Sequence, residues 1–239
     1  MIGSIKSPVH QVVAWLDDLL WLVYPELCVS CDKPLNTGEK CLCTSCRFHL
    51  PKTNFHLEEV NPIIKHFWGK VKVEAAAAYF LFTKGEKVQH LIHQLKYRKR
   101  KDIGVFLGEL YGYDLKKSAV FSTVDVIIPV PLHPKKLRKR GYNQSECFAE
   151  GLSQSLKVPY DVKSLKRKKE TQTQTRKHRF ERFENVNNVF SVTKPEQLKG
   201  KHILLVDDVI TTGSTLVACA EALLDVPGTK VSIAAIAYA

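Results

Sequence analysis

The sequence predicts an α/β protein with a mostly parallel sheet flanked by helices, preceded by a small cysteine-rich module. Two observations predict the sheet: strands and amphipathic helices alternate from residue 73 onward, and the strands at 124–130 and 203–206 are almost continuously apolar. Continuous apolar runs are typical of parallel strands that are covered on both faces. A third observation, five cysteines within residues 28–46, indicates a module held together by a metal ion.

Length and composition limit the architecture. The 239 residues are 44% hydrophobic and 25% charged, as in ordinary globular proteins, and can bury one sizeable core plus a small appendage. The apolar stretch 11–24 is interrupted by Asp17 and Asp18. We therefore expect a docked or amphipathic helix over residues 1–27 rather than a membrane span or signal peptide, and a cytoplasmic protein.

The predicted domains are the four-cysteine module at 28–50 and, after a linker, a second domain at 70–239. The apolar positions in 86–97 recur at i, i+3, i+4 and i+7, which predicts a helix. The predicted elements follow in the order strand 73–83, helix 86–97, helix 103–115, strand 124–130, basic loop 131–141, helix 143–156, mobile basic excursion of about 163–185, short strand 189–192, strand 203–206, helix 214–224 and strand 231–238.

The net charge of +12 is concentrated in one segment. Residues 131–182 contain fifteen Lys/Arg and five Asp/Glu, so they carry +10 of the total. Such a concentration attracts polyanions such as pyrophosphate or a nucleic-acid backbone, and a solvated face is the alternative. The candidate nucleic-acid contacts are the basic residues of the excursion, namely Lys166, Arg167, Lys168, Lys169, Arg176, Arg179 and Arg182.

The candidate anion site lies where the strand at 203–206 passes into the following helix. A loop at a helix N-terminus offers backbone N–H groups to an anion, and a glycine there lets the backbone approach it closely. Asp207 and Asp208 precede the loop and would repel a phosphate alone, so they suggest a ligand with vicinal hydroxyls or a divalent metal. No dinucleotide or P-loop glycine pattern occurs. The loop residues are Thr211, Thr212, Gly213, Ser214 and Thr215.

The segment VDDVITTGSTL, residues 206–216, resembles the phosphoribosyl-pyrophosphate (PRPP) binding fingerprint of type I phosphoribosyltransferases. The resemblance implies the type I phosphoribosyltransferase fold. It also implies that Asp207 and Asp208 hold the ribose hydroxyls of Mg²⁺-bound PRPP, and that the loop from Thr211 to Thr215 binds the 5′-phosphate.

A basic segment follows the predicted strand 124–130 and lies at the same expected sheet edge as Asp207. Positive charge at this edge suits a pyrophosphate group, and the candidate residues are His133, Lys135, Arg138 and Arg140. The segment PLHPKKLRKRGYNQ also resembles a stretch of the ComF family, competence-associated phosphoribosyltransferase-like proteins. The helix end Leu95-Lys96-Tyr97 resembles that family too, although Lys99 stands where the family pattern leads us to expect glycine.

Cys28, Cys31, Cys43 and Cys46 form two C-x-x-C pairs separated by eleven residues. This spacing predicts a tetrahedral structural Zn²⁺ site rather than disulfides. Cys41 is an alternative ligand to Cys43, which the two-residue spacing favours. ComF proteins characteristically carry such a zinc module, so the resemblance extends from Cys28 to the C-terminal strand.

Together these features predict a ComF-like protein that binds PRPP and Mg²⁺ and acts in DNA uptake during natural transformation. As an enzyme it would be a phosphoribosyltransferase, in which pyrophosphate leaves C1′ and an unidentified acceptor attacks. The alternatives are a single-stranded DNA-binding uptake factor that uses the fold without turnover and a nucleobase-salvage phosphoribosyltransferase. The expected partners are PRPP, single-stranded DNA and other competence proteins such as an uptake helicase.

Overall fold

The structure is a computed structural model that describes residues 24–168 and 189–239. The chain divides into two compact units, the first ending at His49 and the second running from Leu50 to Ala239. Within the described ranges, no helix combines the length and the apolar character needed to cross a bilayer.

The first unit contains the cysteine-rich segment. Its chain turns back on itself through an antiparallel bridge between Leu27 and Pro34, and helix α1 spans Thr44–His49. The helix expected over residues 1–27 falls mostly outside the described residues, because the description begins at Tyr24. Its last four residues are described and are not helical.

The second unit is built on a parallel sheet. The strands of this unit are β1 Ala76–Leu81, β2 Val126–Pro129, β3 Leu165–Arg167, β4 Phe190–Val192, β5 His202–Ile210 and β6 Lys230–Tyr238. Four of them form one sheet in the order β1-β6-β5-β2, with every neighbouring pair parallel. Most of their residues are buried, which confirms the predicted parallel α/β sheet.

Helices cover both faces of this sheet. They are α2 Pro62–Phe67, α3 Lys87–Tyr97, α4 Lys101–Leu115, α5 Pro134–Arg140, α6 Gln144–Leu156 and α7 Ser214–Leu224. Ile63 of α2 and Leu216 of α7 share a core with Ala78 of β1. The next strand residue, Tyr79, faces the other side and stacks on Tyr111 of α4, with ring centroids 4.7 Å apart.

Helix α2 occupies part of the segment that the sequence predicts as a linker. The Asn61 side chain accepts hydrogen bonds from the backbone N–H groups of Ile63 and Ile64 at 2.9 and 3.0 Å, and it donates to the Ala76 carbonyl at 3.0 Å. This buried cap stabilises the first turn of a helix that is too short to show an apolar period.

The prediction of a basic loop at 131–141 is wrong, because most of that segment is helix α5. Pro134 supplies the fixed φ of the first turn, and the backbone N–H of Lys135 donates to Nδ1 of His133 at 3.2 Å. Gly141, at φ 80°, ends the helix in the left-handed conformation. Five of the seven residues of this helix are basic and none is buried, so the sequence shows no apolar repeat from which α5 could be predicted.

The excursion expected from about residue 163 contains a strand, rather than only loop, where the chain is described. Strand β3 lies there and pairs antiparallel with β4, with Leu165 opposite Val192 and Arg167 opposite Phe190. Leu165 and Phe190 are buried. These two apolar residues anchor a two-stranded ribbon, and residues 169–188 lie outside the described residues.

The turn between α3 and α4 contains a left-handed residue other than glycine. Lys99, at φ 58°, stands at the position where the family resemblance leads us to expect glycine. An L-residue in this conformation costs about 1 kcal/mol relative to glycine. Lys99 therefore adopts the left-handed conformation that glycine favours, and a basic side chain stands at a strained position.

Helices α4 and α6 cross with their backbones in close contact. A Cβ on Gly151 would overlap the carbonyl oxygen of Val105, and a Cβ on Gly104 would lie 2.7 Å from the Cβ of Cys147. Glycine is required at this crossing because a Cβ would overlap atoms of the facing helix. The crossing fixes the start of α6, which reaches the candidate site.

We expect Gly151→Ala to destabilise the protein by about 2–4 kcal/mol, because the new methyl group overlaps backbone atoms of α4. Helix propensity alone would make the same change favourable by up to about 1 kcal/mol. Urea unfolding measures the difference. Gln154→Ala, on the exposed side of α6, is the control and should change stability by less than about 0.5 kcal/mol; an equally stable Gly151→Ala variant would contradict the crossing.

Candidate functional site

The acidic pair lies within β5, near the carboxyl end of a central strand. Asp207 is paired in register with Ala235 of β6, so the strand continues beyond the 203–206 segment that hydrophobicity marks. Ser145 Oγ and the backbone N–H of Asp208 each donate to Oδ1 of Asp207 at 2.8 Å. The Asp207 carboxyl is thus held in place by α6 and by its own strand.

Burial, and next the charge of Asp208, raise the pKa of the Asp207 carboxyl to about 7, against the opposing effect of the Ser145 hydrogen bond. Two carboxylates at the end of a buried strand are costly unless a ligand or counter-ion compensates them. Strongly perturbed carboxyls of this kind cluster at functional sites. The pair is therefore the electrostatic centre of the candidate site.

Lys96 provides the counter-ion for the other carboxylate, a contact that the sequence analysis missed. Its Nζ lies 3.1 Å from Oδ1 of Asp208, and the two side chains are only 20% and 14% exposed. Lys96 is in the last turn of α3, at the helix end whose Leu-Lys-Tyr pattern resembles the ComF family. That pattern was the available signal, but only the fold shows that this lysine reaches the acidic pair.

The candidate phosphate loop connects β5 to α7. Gly213, at φ 67°, precedes the first helical residue, and the exposed Thr212 and Ser214 hydroxyls lie 3.2 Å apart. Thr211 and Thr215 are also exposed. The first N–H groups of α7 have no acceptor within the helix and are available to an anion.

His66 of α2 supports this loop and was also missed. Its Nε2 donates to the Thr212 carbonyl at 2.7 Å, and a Cβ on Gly213 would lie 3.0 Å from the imidazole ring. The half-buried ring therefore holds the loop backbone through this hydrogen bond. Nothing in the sequence connects His66 to a residue 146 positions later; only the packing of α2 against the sheet does.

Helix α5 follows β2, whose last residue Pro129 is in register with Val206 of β5, so it leaves the sheet at the same edge as the acidic pair. The four predicted pyrophosphate residues differ from one another in their contacts and exposure. Arg140 donates to Oε1 of Gln144 at 2.6 Å, and its guanidinium lies 5.5 Å from the Tyr97 ring centroid. Nδ1 of His133 caps the helix, while Lys135 and Arg138 are exposed.

The predicted nucleic-acid residues are only partly described. Lys166 and Arg167 lie in β3, with the Arg167 guanidinium 5.4 Å from the Phe190 ring centroid, and Lys168 follows the strand. The exposed Lys166 and Lys168 therefore share one face of the ribbon, and the half-buried Arg167 lies on the other. The remaining four, Lys169, Arg176, Arg179 and Arg182, lie outside the described residues.

The four predicted cysteine ligands come together in the first unit. The Sγ atoms of Cys28, Cys31, Cys43 and Cys46 all lie within 4.8 Å of one another, and Cys41 is not part of this group. The Cys31 and Cys43 Sγ atoms are 3.8 Å apart. A tetrahedron with Zn–S bonds of about 2.3 Å has sulfur–sulfur edges of about 3.8 Å, so the arrangement fits a tetrahedral metal ion.

The local electrostatics favour a thiolate at one of the four cysteines, Cys28. Burial alone would raise the pKa of the Cys28 thiol, but hydrogen bonds from backbone N–H groups, led by that of Cys43, lower it to about 7. The Cys43 N–H lies 3.3 Å from the Cys28 sulfur. Metal ligation requires the deprotonated thiol, so this N–H prepares Cys28 for a cation.

Comparison with known proteins defines the class. Residues 143–239 match the family described as the phosphoribosyl transferase domain, which covers α6, the acidic pair and the phosphate loop. The sheet topology and this match define the second unit as a type I phosphoribosyltransferase domain. A solved structure of glutamine PRPP amidotransferase from B. subtilis, with ADP and GMP, is 21% identical and aligns with a TM-score of 0.43 over 60% of this chain and 30% of that chain.

The chain belongs to the ComF family of phosphoribosyltransferase-domain proteins. The DNA utilization protein YhgH of Shigella flexneri is 32% identical over 85% of this chain and 92% of its own length. Competence protein F of Haemophilus influenzae is 29% identical, over 79% of this chain and 86% of its own. Competence protein ComFC of Bacillus subtilis is 27% identical over 61% of this chain and 57% of its own length.

We expect the cysteine cluster to bind one metal ion per chain, measured by elemental analysis of the purified protein. Cys43→Ser should abolish this binding, because it removes one corner of the tetrahedron. Cys41→Ser is the matched control, since it removes a nearby thiol outside the cluster and should leave the metal content unchanged. Equal metal loss in both variants would contradict the assignment of Cys43.

The Asp207 pKa predicts how stability depends on pH. A folded-state pKa of about 7, above the ordinary 3.8, means that ionisation costs stability progressively as pH rises from about 4 to about 7. Asp207→Asn keeps the acceptor for Ser145 and removes this cost. We expect the variant to be more stable than wild type by roughly 1–3 kcal/mol at about pH 8, and by less at about pH 5.

Urea unfolding of the ligand-free protein at both pH values measures this difference. Asp225→Asn changes an exposed carboxylate just after α7 and serves as the control, with no expected pH-dependent gain. A gain for Asp207→Asn that is the same at both pH values would show that ionisation of Asp207 is not the cause.

Proposed function

We propose that this protein binds PRPP and Mg²⁺ at the carboxyl edge of its parallel sheet and acts in DNA uptake during natural transformation. The single observation that carries the PRPP proposal is the arrangement of Asp207 and Asp208 at the end of β5, directly before a loop at the N-terminus of α7. This arrangement matches both halves of a ribose phosphate, the hydroxyls and the 5′-phosphate.

The ribose end is supported by the acidic pair. Vicinal hydroxyls donate hydrogen bonds, and carboxylates accept them, each charge-assisted bond contributing about 1.5–3 kcal/mol. The Ser145 hydrogen bond holds one carboxylate in a fixed orientation for this purpose. Lys96 holds the other through its ion pair.

The phosphate end is supported by the loop from Thr211 to Thr215, which offers hydroxyls and helix N-terminal N–H groups. The pyrophosphate would meet the basic side chains of α5, with His133, Lys135, Arg138 and Arg140 as its proposed contacts. Mg²⁺ prefers oxygen ligands, and carboxylates beside a pyrophosphate site supply that type. When bound, it neutralises the negative charge of the leaving pyrophosphate.

The chemical step that fits this site is transfer of the phosphoribosyl group. The C1′–oxygen bond to pyrophosphate breaks, the pyrophosphate carries away the electron pair, and an acceptor nucleophile forms the new bond at C1′. The protein contributes positioning and charge stabilisation to this step. A nucleobase-salvage enzyme is the alternative within this chemistry.

We further propose that the metal in the cysteine cluster is Zn²⁺ and that its role is structural. Four thiolates close a tetrahedral site and leave no open position for a substrate. The module has few buried apolar residues of its own, so a metal ion would supply much of its stability.

The role in DNA uptake is supported by the relatives. Proteins similar over most of their length are named DNA utilization protein and Competence protein F. A second candidate function is binding of single-stranded DNA without turnover, favoured by Lys166, Arg167 and Lys168 on the β3–β4 ribbon. Other competence proteins, such as an uptake helicase, are the proposed protein partners, and the cytoplasm is the proposed location.

Replacing Asp207 and Asp208 together by alanine should weaken PRPP binding by at least about 100-fold, because two charge-assisted contacts to the ribose are lost. Titration calorimetry with PRPP and Mg²⁺ measures the affinity. Asp225→Ala removes an exposed carboxylate elsewhere and should bind PRPP as wild type does. Wild-type affinity in the double variant would show that the site is assigned wrongly.

The same double variant separates the two candidate functions in cells. In a transformable strain that lacks its own ComF-family protein, we expect the double variant to fail to restore DNA uptake if PRPP binding is required. Full restoration by a variant that no longer binds PRPP would favour the DNA-binding role without turnover.

A further inference from the structure

The chain has a strongly basic surface that the PRPP site does not use in full. It is formed by two segments, the turn between α3 and α4 and the helix α5, and we call it the α3–α5 basic surface. Its basic residues are Arg98 and Lys99 of the turn, Lys101 at the start of α4, and Lys135, Lys136, Arg138, Lys139 and Arg140 of α5.

Aromatic residues join the two segments into one surface. The Arg140 guanidinium lies 5.5 Å from the ring centroid of Tyr97, and the Lys101 ammonium lies 5.4 Å from that of Tyr142. The Tyr142 hydroxyl donates to the carbonyl of Leu95, the residue two before the end of α3. Because Tyr142 is buried, these contacts fix the turn against the helix rather than leaving two independent loops.

The positive charge of this surface is not neutralised within the described residues. The ion pair Arg100–Asp102 lies inside the turn, and Lys96 pairs with Asp208 beside it. Among the residues that the structure describes, none of the eight basic side chains of the surface forms an ion pair with a carboxylate. Unpaired cations at this density favour a polyanion that can contact several of them at once.

An exposed aromatic side chain stands among these cations. Tyr97 is 54% exposed although it is large, and its ring lies 4.9 Å from that of His93 one turn earlier in α3. An aromatic face within a basic surface provides a place for an unpaired base to stack, which a base in a duplex cannot use. The combination therefore favours single strands over duplexes.

The surface adjoins the candidate PRPP site. Tyr97 follows Lys96, and the Lys96 ammonium contacts Asp208. Arg140 donates a hydrogen bond to Gln144, and the next residue, Ser145, donates one to Asp207. A chain of phosphates on the surface would therefore pass beside the acidic pair. This placement gives the surface a specific relation to the ligand site rather than a general attraction.

We propose that the α3–α5 basic surface binds single-stranded nucleic acid, with phosphates on its lysines and arginines and one base on the Tyr97 ring. The proposal rests on the proposed function in one respect only, that the bound nucleic acid would lie beside the PRPP site and within reach of the phosphoribosyl group. The binding itself depends on the charge and the aromatic ring alone.

The first test removes charge from the surface in the full-length protein. Lys99→Gly combined with Lys136→Gln deletes two positive charges, and glycine suits the φ of 58° at position 99. Fluorescence anisotropy with labelled oligo(dT) of about 20 nucleotides, at several salt concentrations, gives the slope of log K against log salt. Each phosphate contact to a single strand contributes about 0.7 to this slope, so we expect the loss of two contacts to make the slope shallower by about 1.4.

The matched control removes the same charge from the opposite edge of the sheet. Lys199 precedes β5 and Lys230 begins β6, so Lys199→Gln with Lys230→Gln alters two exposed lysines at the amino ends of the strands. The control should keep the wild-type slope. If both double variants lose the same slope, the binding reflects net charge only and the proposed surface is wrong.

The second test concerns the aromatic ring. Tyr97→Ala should weaken oligo(dT) binding roughly tenfold, whereas Tyr97→Phe keeps the stacking face and should bind nearly as wild type does. A duplex of the same length should be unaffected by either change. Equal losses for duplex and single strand in Tyr97→Ala would overturn the stacking contact.

The partner class and the PRPP site are tested separately. Vesicles of phosphatidylserine and phosphatidylcholine are, like oligo(dT), negatively charged and serve as the alternative partner. If the variant Lys99→Gly with Lys136→Gln lost vesicle binding but kept wild-type oligo(dT) binding, the surface would be a membrane contact. PRPP binding should be unchanged in that variant, and oligo(dT) binding should not weaken when Asp207 and Asp208 are replaced, because this change removes only negative charge beside the surface. Failure of PRPP binding alone would therefore refute the PRPP site and leave the nucleic-acid surface intact.

Discussion

The parallel pairing of β5 with β2 and β6 is the constraint on which the rest of the site depends. Parallel strands bring their carboxyl ends to one edge, so the acidic pair of β5, the helix that follows β2 and the loop before α7 must meet there. Burial of the strands on both faces holds this pairing, because slippage by one residue would exchange the two sets of core side chains.

Placing the acidic pair at this edge has an electrostatic cost. Burial, and next the charge of Asp208, raise the pKa of Asp207 to about 7. The protein offsets this with three neighbours from different elements, namely Ser145 of α6, Lys96 of α3 and the backbone N–H of Asp208. A fold that keeps such a pair is suited to a ligand that completes the compensation.

Long patterned segments were readable from the sequence, whereas three of the short elements were not. The apolar repeat of α3 and the continuous apolar runs of the strands predicted these elements and the parallel sheet. Helix α5 has no apolar repeat, α2 is held by the Asn61 cap, and β3 depends on pairing with β4 some 25 residues later. Each is decided by local capping or distant pairing, and such contacts leave little trace in composition.

The sequence by itself determined the residue types of the site: the acidic pair, the Thr-Thr-Gly-Ser-Thr loop and the C-x-x-C cysteines, because each is a short contiguous pattern whose chemistry is local. Only the tertiary structure decided which residues support them. Lys96 reaches Asp208 across 112 positions, His66 reaches the loop across 146, and Arg140 meets Tyr97. These contacts arise from helix packing on the sheet, which joins segments that are remote in the chain.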